Sequence, residues 1–335
     1  MEAIRLFLEK IKLGGKQTHL NMTLFPLLAP DAGSPDYLIL EEALGQGSAE
    51  ITEVSQGGSV PDLRLINKSP KNLLVVDGEE LVGAKQNRIV NITLLIPAKS
   101  KVVIPVSCVE QGRWHYRTRT FDSGEKIMHA SLRASHQRAV DANLKDYNSP
   151  RSNQSMIWGE LGQKAMRMHI EAPTGAMSDL FERQEGSLRE YLAAFRLVDG
   201  QVGAVFAISG RLVGMDCLGY NATFASFFPK LIKSYALDAL DEALQQPKDQ
   251  ETAKGRPDKS RRFLDSVATA AKREYRTVGE GESLRFDDRQ VSGAALVLEG
   301  KVLHLAAFSR NENREREDER LSLQRASARR RRVLN

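Results

Sequence analysis

Cysteine is scarce in this chain: only Cys108 and Cys217 occur among 335 residues. Small secreted domains that depend on disulfides contain many more, so a disulfide framework is excluded. Both cysteines lie in apolar, strand-like segments, which predicts buried thiols that act as small hydrophobic side chains.

Long hydrophobic runs are also lacking, since no stretch approaches the roughly 20 apolar residues that span a bilayer. The N-terminal segment is apolar and basic, but Glu2 and Glu9 interrupt it. It therefore lacks the unbroken apolar core and the cleavage site of a signal peptide. We expect a cytoplasmic protein without a membrane contact.

Several motifs of common enzymes do not occur. The sequence has no P-loop, no GxGxxG after a strand, no HExxH and no nucleophile elbow, which argues against the usual nucleotide hydrolases, dehydrogenases and zinc peptidases. Neither cysteine belongs to a CxxC pair, and the six histidines are scattered along the chain. The residues therefore predict no metal site, and they identify no cofactor.

The positive charge is concentrated at the C-terminus. Of the net charge of +5, residues 310–335 contribute +4, because they contain nine arginines and five acids. The rest of the chain is nearly neutral. Residues 309–335 are predicted to be a charged, disordered tail. The alternative is a weak contact with a polyanion, made by the final arginine cluster. That cluster consists of Arg329, Arg330, Arg331 and Arg332.

The patterning predicts an α+β fold. Residues 15–120 contain short β-branched or leucine-rich runs bounded by turn residues, which indicates a mostly antiparallel β unit, a sandwich or a barrel-like sheet. Residues 121–308 combine helical periodicity with further hairpins, which indicates helices covering a sheet. The polar residues 246–261 are predicted to be a mobile linker.

Three local expectations concern turns and helix ends. The pairs Asp77-Gly78, Ser209-Gly210 and Glu299-Gly300 each lie between two apolar runs and predict tight hairpins. Their similarity leaves an internal duplication open. Ser123 is expected to cap a helix, and Pro229 to lie in or near the first turns of a long helix.

Two polar segments concentrate the functional groups. Residues 77–88, DGEELVGAKQNR, and residues 108–115, CVEQGRWH, are separated by apolar strand-like runs. Loops held by rigid strands are where binding and catalysis concentrate. We predict that both segments converge on one pocket through adjacent strands.

The first segment supplies acids, cations and amides. Adjacent carboxylates in a strand point to opposite faces, so only one of Glu79 and Glu80 can enter a given pocket. In extended geometry Lys85 and Asn87 share one face. Gln86 and Arg88 then lie on the other face. Such groups can hold a phosphate and recognise a sugar or base edge. The alternative is a solvated hairpin with weak ion pairs.

The second segment adds a carboxylate, an amide, a cation and an aromatic ring. Glu110, Gln111, Arg113 and Trp114 follow Cys108, and His115 could act as an acid or base. A tryptophan beside an arginine can stack on a base or sugar. The alternative places Trp114 in the core and His115 at the surface.

Residues 77–88 and the run VIPVSCVEQGRW at residues 103–114 resemble the family named for its association with ADP-ribosylglycohydrolases and rhodanese-phosphatases. The similarity continues through VGAVFAISGRLVGMDCLG and covers about residues 15–308. It implies a domain found alone or beside enzymes of ADP-ribose and NAD-linked metabolism, and it transfers no catalytic residue. The matching motif positions are Glu79, Gly83, Lys85, Gln86, Asn87, Arg88, Cys108, Glu110, Gln111, Arg113 and Trp114.

Three functions remain open. The first is binding of a phosphorylated, nucleotide-like ligand. In it, Lys85 and Arg88 meet phosphates, Gln86 and Asn87 meet the sugar or base, and Trp114 stacks. Gln111 and Arg113 complete the binding set. The second is hydrolysis or transfer on such ligands, with Glu79 or Glu110 as general base. The third is a protein-interaction module without a small-molecule ligand.

Overall fold

Several strands of this chain alternate buried with partly exposed residues. In residues 62–67, DLRLIN, the side chains of Leu63, Leu65 and Asn67 are buried, while the residues between them are half-buried. The computed structural model describes residues 2–245 and 257–310. Residues 311–335, which include the arginine cluster, and most of the predicted linker lie outside the described residues. Residues 257–261 of that linker belong to a helix.

Eight helices occur within the described ranges. They are α1 Glu2–Glu9, α2 Leu40–Gly45, α3 Ala130–Tyr147, α4 Gln154–Arg167, α5 Met177–Arg183, α6 Glu185–Ala194, α7 Asn221–Gln245 and α8 Pro257–Thr269. None of these helices is both long enough and apolar enough to cross a membrane.

Eighteen strands accompany these helices in the same ranges. They are β1 Lys12–Leu13, β2 Gln17–His19, β3 Met22–Leu28, β4 Tyr37–Ile39, β5 Ala49–Glu53, β6 Asp62–Asn67, β7 Asn72–Val75, β8 Glu79–Gly83, β9 Arg88–Val90, β10 Leu94–Ile96, β11 Lys101–Cys108, β12 Thr120–Ile127, β13 Gln201–Ile208, β14 Arg211–Leu218, β15 Arg273–Tyr275, β16 Glu282–Asp287, β17 Val291–Leu298 and β18 Lys301–Ser309.

Six of the strands close into an antiparallel barrel in the order β11-β6-β5-β12-β8-β9. Nine form a second antiparallel sheet, ordered β1-β3-β13-β14-β18-β17-β16-β15, with β2 paired to β3. The third sheet, β10-β7-β4, contains one parallel pair. The predicted α+β class with an N-terminal β unit is confirmed.

Three apolar cores hold these layers together. One lies between the nine-stranded sheet and α3 to α7, and includes Phe206, Phe224 and Tyr235. Another lies on the other face of the sheet beneath α1 and α8. The third fills the barrel, with Ile51 and Phe121. Strands β1 to β3 pair within the sheet that is formed largely by the C-terminal part of the chain. The predicted division of the chain at residue 120 remains a prediction.

Two of the three predicted hairpins form. Ser209 and Gly210 join β13 to β14, and both have positive φ, as do the residues between β17 and β18. The Asp77-Gly78 prediction is wrong. A tight turn forms there, but β7 joins the three-stranded sheet and β8 joins the barrel, so the flanking strands do not pair.

Of two predictions about helices, one is wrong. Ser123 caps no helix, because it lies in β12 opposite Leu81, and α3 begins only at Ala130. Pairing that completes the barrel overrides local helical propensity. Pro229 lies inside α7, eight positions after Asn221 and thus near the first turns, as predicted. An interior proline removes one helical hydrogen bond. The helix continues because much of its surface is buried.

Candidate functional site

The two polar segments meet at the junction of β8, β9 and β11. Arg88 of β9 lies opposite Cys108 of β11, so the residues next to them become neighbours. The backbone amide of Asn87 donates to Glu110 Oε2 at 3.0 Å, and Gln86 Nε2 donates to the Glu110 carbonyl at 2.8 Å. The two segments therefore lie side by side, and their sharing of one pocket remains a prediction.

Arg113 is the buried tie between the segments. Its Nη2 lies 2.6 Å from Glu110 Oε2 and donates to Asn87 Oδ1 at 3.1 Å. The same guanidinium donates to the backbone carbonyls of Gly83 and Ala84. Arg113 thus fixes the position of both segments, and the hydrogen bonds that it donates go to other groups of the protein.

The chain turns sharply between β8 and β9. Gly83 has φ +132°, and a Cβ there would lie 2.6 Å from both Thr118 Oγ1 and the Thr120 carbonyl. Ala84 follows with φ +35°. The segment is therefore not extended, and the predicted sharing of one face by Lys85 and Asn87 is wrong.

Beside this junction lies a cleft of about 390 Å³. One wall is formed by β8 and β12, and the other by α5 and the loop before it. That loop is held by hydrogen bonds from Gly112 to Thr174 and from Met177 to Val109. The cleft is lined by Val82, Gly83, Asn87, Glu110, Arg117, Thr118, Asp122, Ser123, Gly124, Glu125, Lys126, Thr174, Ala176, Ser178, Asp179 and Glu182.

Acids outnumber cations in this cleft. Its two cations form only loose ion pairs: Arg117 lies 3.9 Å from Glu110, and Lys126 lies 3.7 Å from Glu182. Burial raises the pKa of Asp179, and the neighbouring Glu182 adds to that increase. The sequence patterns did not predict that Arg117, Lys126 and α5 lie at this site, because only the tertiary fold brings them to the two polar segments.

Glu110 is held ionised at the base of the cleft. Burial acts to raise its pKa, but hydrogen bonds from Arg113 and the Asn87 amide outweigh burial and lower the pKa. Its other oxygen accepts from Thr174 Oγ1 at 3.1 Å. Such a carboxylate is a good acceptor for hydroxyl groups and a weak base.

Glu80 lies directly behind the cleft wall. Its Oε1 is 3.5 Å from Asn87 Nδ2, and its Oε2 would lie 2.8 Å from a Cβ placed on Gly124. Oε2 has no hydrogen-bond partner among the described residues. Burial raises the pKa of Glu80 to about 7, although Lys126 and Asn87 act in the opposite direction. Glu80 is therefore partly protonated near neutral pH.

Glu79 points away from this cleft. Its carboxylate accepts from the Val76 amide at 2.8 Å and from Lys230 Nζ of α7 at 3.3 Å. Alternation along β8 predicts that only one of the two glutamates faces a given pocket, and the structure places Glu80, not Glu79, beside the cleft. Nothing in the local sequence distinguishes the two.

Lys85, Arg88 and Trp114 form a separate group that does not line the cleft. The Lys85 Nζ lies 5.2 Å, and the Arg88 Cζ 5.5 Å, from the Trp114 ring centre. Trp114 is 46% exposed, so the alternative that placed it in the core is wrong. Gln111 and His115 are exposed, and Gln86 is buried.

A second charged cluster joins α3 and α7 to the large sheet. We call it the seam network, and its members are Asp77, Thr93, Arg133, Gln137, Asp216, Tyr235 and His304. Arg133 donates to both oxygens of Asp216 at 2.8 and 2.6 Å, and Tyr235 Oη adds a third bond at 2.8 Å. Asp77 accepts from Thr93 at 3.0 Å and from Gln137 at 2.7 Å. Asp77 of the first polar segment therefore stabilises the fold and does not line the cleft.

Metal ligands do not cluster in the described part of the chain. Within it, no group of three or more His, Cys, Asp or Glu side chains is placed to hold a metal ion. Cys108 and Cys217 are both buried and unpaired by disulfides, as their apolar contexts predict.

Comparison with known proteins gives one match. A family model described as the ARG and Rhodanese-Phosphatase-superfamily-associated Protein domain matches residues 10–308. No curated protein and no solved structure matches the chain.

Proposed function

Because the chain belongs to the ARG and Rhodanese-Phosphatase-superfamily-associated Protein domain family, we propose that it binds a phosphorylated, nucleotide-like ligand of ADP-ribose or NAD-linked metabolism. We infer that ARG in the family description stands for ADP-ribosylglycohydrolase. The observation that carries the proposal is the cleft beside Asn87 and Glu110. There an ionised carboxylate at the base faces two loosely paired cations, Arg117 and Lys126.

The base of the cleft suits a sugar. Ribose hydroxyls donate to carboxylates and to hydroxyl oxygens, and the cleft offers Glu110 together with Thr118, Ser123 and Ser178. Asn87 Nδ2 is a weakly used donor, 3.5 Å from Glu80 Oε1, and it can serve a ligand while Gly83 and Arg113 hold the amide in place through its Oδ1. The volume of about 390 Å³ lies within the range of small-molecule sites.

The cations suit a phosphate. Arg117 is 59% exposed and lies 3.9 Å from its acidic partner, and Lys126 is 3.7 Å from the mostly exposed Glu182. Such partly solvated pairs contribute only about 0–1 kcal/mol. A charge-assisted bond from either cation to phosphate is stronger than the pair that it replaces, and this gain opposes the repulsion from the acids of the cleft.

The binding test uses a pair of arginines two residues apart. ADP-ribose, AMP and ribose 5-phosphate are titrated by calorimetry into the wild type, Arg117→Ala and Arg119→Ala. Both variants lose one exposed positive charge, but only Arg117 lines the cleft. Loss of a charge-assisted bond predicts about tenfold weaker binding for Arg117→Ala. Equal effects in both variants, or no binding by the wild type, would refute the cleft assignment.

A hydrolase or transferase is the second candidate, favoured by the elevated pKa of Glu80. A general acid or base works best with a pKa near the operating pH. Glu110 is held ionised and Glu79 contacts Lys230, so we assign the proton-transfer role to Glu80 instead. Two residues that line the cleft lie next to its carboxylate: Gly124 beside Oε2 and Asn87 beside Oε1.

Turnover is tested with NAD, ADP-ribose and an ADP-ribosylated peptide. The wild type is compared with Glu80→Gln and with the matched Glu79→Gln. Product formed by the wild type and by Glu79→Gln, but not by Glu80→Gln, supports the catalytic assignment. If the wild type binds these ligands but forms no product above the buffer control, the binding function is supported and the enzymatic one is not. The absence of both leaves the protein-interaction hypothesis.

A further inference from the structure

The barrel has a polar end formed by Glu53, Arg88 and Cys108. Arg88 and Cys108 are paired across β9 and β11 and point inward beside Val90 and Val106, which fill the barrel. Glu53 follows the buried Ile51 by two positions on β5, so it shares the inward face. We call this end, with the residues that cover it, the barrel mouth.

Two charged groups at the barrel mouth are buried without full hydrogen bonding. Arg88 is 0% exposed, and its Nε and Nη2 have no hydrogen-bond partner among the described residues. Glu53 is 6% exposed, and within the same ranges neither of its oxygens accepts a hydrogen bond. Arg88 Nη2 and Glu53 Oε1 are 4.0 Å apart, too far for a hydrogen bond. Buried groups of this kind are uncommon and call for a partner.

A short glycine-containing loop covers the barrel mouth. Lys85 Nζ donates to the Gly57 carbonyl at 2.7 Å, and Tyr116 Oη donates to the Gln56 carbonyl at 3.4 Å. A Cβ on Gly58 would lie 3.3 Å from both Glu53 Oε2 and Trp114 Cζ2. The loop therefore rests directly on Glu53, held from outside by two side-chain bonds that can be exchanged for water.

We propose that the barrel mouth is a second ligand subsite, which takes a planar group with a hydrogen-bond acceptor beside a donor. Arg88 Nη2 donates to the acceptor, Glu53 accepts from the donor, and the Trp114 ring stacks on the plane. The loop at Gly57 and Gly58 moves aside to admit the group. None of these three side chains lines the cleft, so this subsite does not depend on the function proposed there.

The charges select this ligand chemistry. A simple anion bound to Arg88 leaves the buried Glu53 without a donor and beside a like charge. A simple cation bound to Glu53 leaves Arg88 without an acceptor and lies beside two like charges, Arg88 and Lys85. A neutral group with one acceptor and one donor satisfies both sides without adding charge. Primary carboxamides and the amino edge of adenine share this pattern, and both are attached to flat rings that stack on tryptophan.

Four probes distinguish the possible sources. Nicotinamide and adenosine carry the donor–acceptor pattern, whereas nicotinate and benzoate replace the donor with a negative charge. Binding to the full chain is followed by calorimetry and by tryptophan fluorescence. We expect nicotinamide or adenosine to bind at least tenfold more tightly than nicotinate, and the tighter of the two identifies the amide or the base as the source.

The decisive variant is Glu53→Gln, which keeps the shape and removes the charge. We expect the preference for nicotinamide over nicotinate to fall at least tenfold, because the carboxylate is no longer repelled. Glu50→Gln, on the exposed side of the same strand, is the matched control and should keep the preference. Arg117→Ala should keep it too. An unchanged preference in Glu53→Gln, or no binding of either neutral probe by the wild type, overturns the proposal.

Discussion

The seam network and the cleft both place arginines against carboxylates, yet they use the carboxylates differently. Asp216 of the seam network accepts three hydrogen bonds, from Arg133 and Tyr235, and lies fully inside the molecule. Glu80 beside the cleft has one long contact, and one of its oxygens has no partner among the described residues. A saturated carboxylate holds the fold, whereas an unsaturated one is available to a ligand.

The two regions also differ in charge state. Burial acts to raise the pKa of Asp216, but Arg133 and His304 outweigh it, so the pKa falls well below its ordinary range. Around Glu80 the charge of Lys126 and the hydrogen bond from Asn87 do not offset burial, and the pKa rises. The density of charged residues in a motif therefore does not identify the functional part of it. Hydrogen-bond saturation does so better than the pKa shift alone, because burial also raises the pKa of Glu79, whose carboxylate is bonded to Val76 and Lys230.

The largest expected effect is on stability, from Asp216→Asn in the seam network. The substitution leaves Arg133 buried without a negative partner. Breaking a buried ion pair typically costs about 3–5 kcal/mol. Urea unfolding followed by circular dichroism measures the loss.

The control for this prediction is an exposed pair. Glu185→Ala, which breaks the surface bond to Arg189, should lower the free energy of unfolding far less than Asp216→Asn, because solvent screens an exposed pair. The double variant Arg133→Met and Asp216→Leu removes both charges and should recover part of the loss. Equal losses at Asp216 and Glu185 would remove the distinction between the two kinds of carboxylate.

The second effect separates Glu80 from the other acids by its pH dependence. Its folded pKa of about 7 exceeds the ordinary 4.5, so the folded protein holds the extra proton between these values. The wild type therefore loses stability as pH rises through this window, and the loss is complete above it. Glu80→Gln lacks the titration. Its stability relative to wild type should rise by about 3 kcal/mol from pH 4.5 to pH 7. A flat difference in urea unfolding across that range would contradict the assignment.

The third effect tests the ion pair between Glu110 and Arg113, which helps to join the two polar segments. Glu110→Gln keeps the shape but leaves Arg113 without a charged acceptor. Hydrogen bonds to charged groups contribute about 1.5–3 kcal/mol, so we expect a loss of about 2 kcal/mol in urea unfolding. Gln111→Ala is the adjacent exposed control and should change stability by less than about 0.5 kcal/mol. A loss at Gln111 equal to that at Glu110 would show that the tie is unimportant.

Local patterns predicted the elements whose pairing is local. The DLRLIN strand and the hairpins at Ser209-Gly210 and Glu299-Gly300 follow from alternation and from two-residue turns. The turn at Asp77-Gly78 also places a polar residue before a glycine, but only Gly78 has positive φ there. Its flanking strands separate into different sheets, because the seam network holds Asp77 and because β8 completes the barrel.

The candidate site could be predicted as a meeting of two segments, but not in its internal arrangement. The strand-like runs between Arg88 and Cys108 made their convergence foreseeable. The sharp turn at Gly83 and Ala84 then divides the polar residues: Asn87 goes to the cleft, and Arg88 goes into the barrel. The choice between Glu79 and Glu80 depends on β12 and α7, which are distant in sequence and carry no motif.

The smallest expected effect is on stability, from Trp114→Ala at the barrel mouth. The ring is half-exposed, and it contributes mainly through the neighbouring cations of Lys85 and Arg88. Exposed contacts of this kind are worth about 0.5–1 kcal/mol, so urea unfolding should show a loss of about that size. A loss above about 2 kcal/mol would mean that Trp114 closes the barrel core. A small loss leaves a large exposed ring that the fold does not require, as expected for a surface that stacks on a ligand.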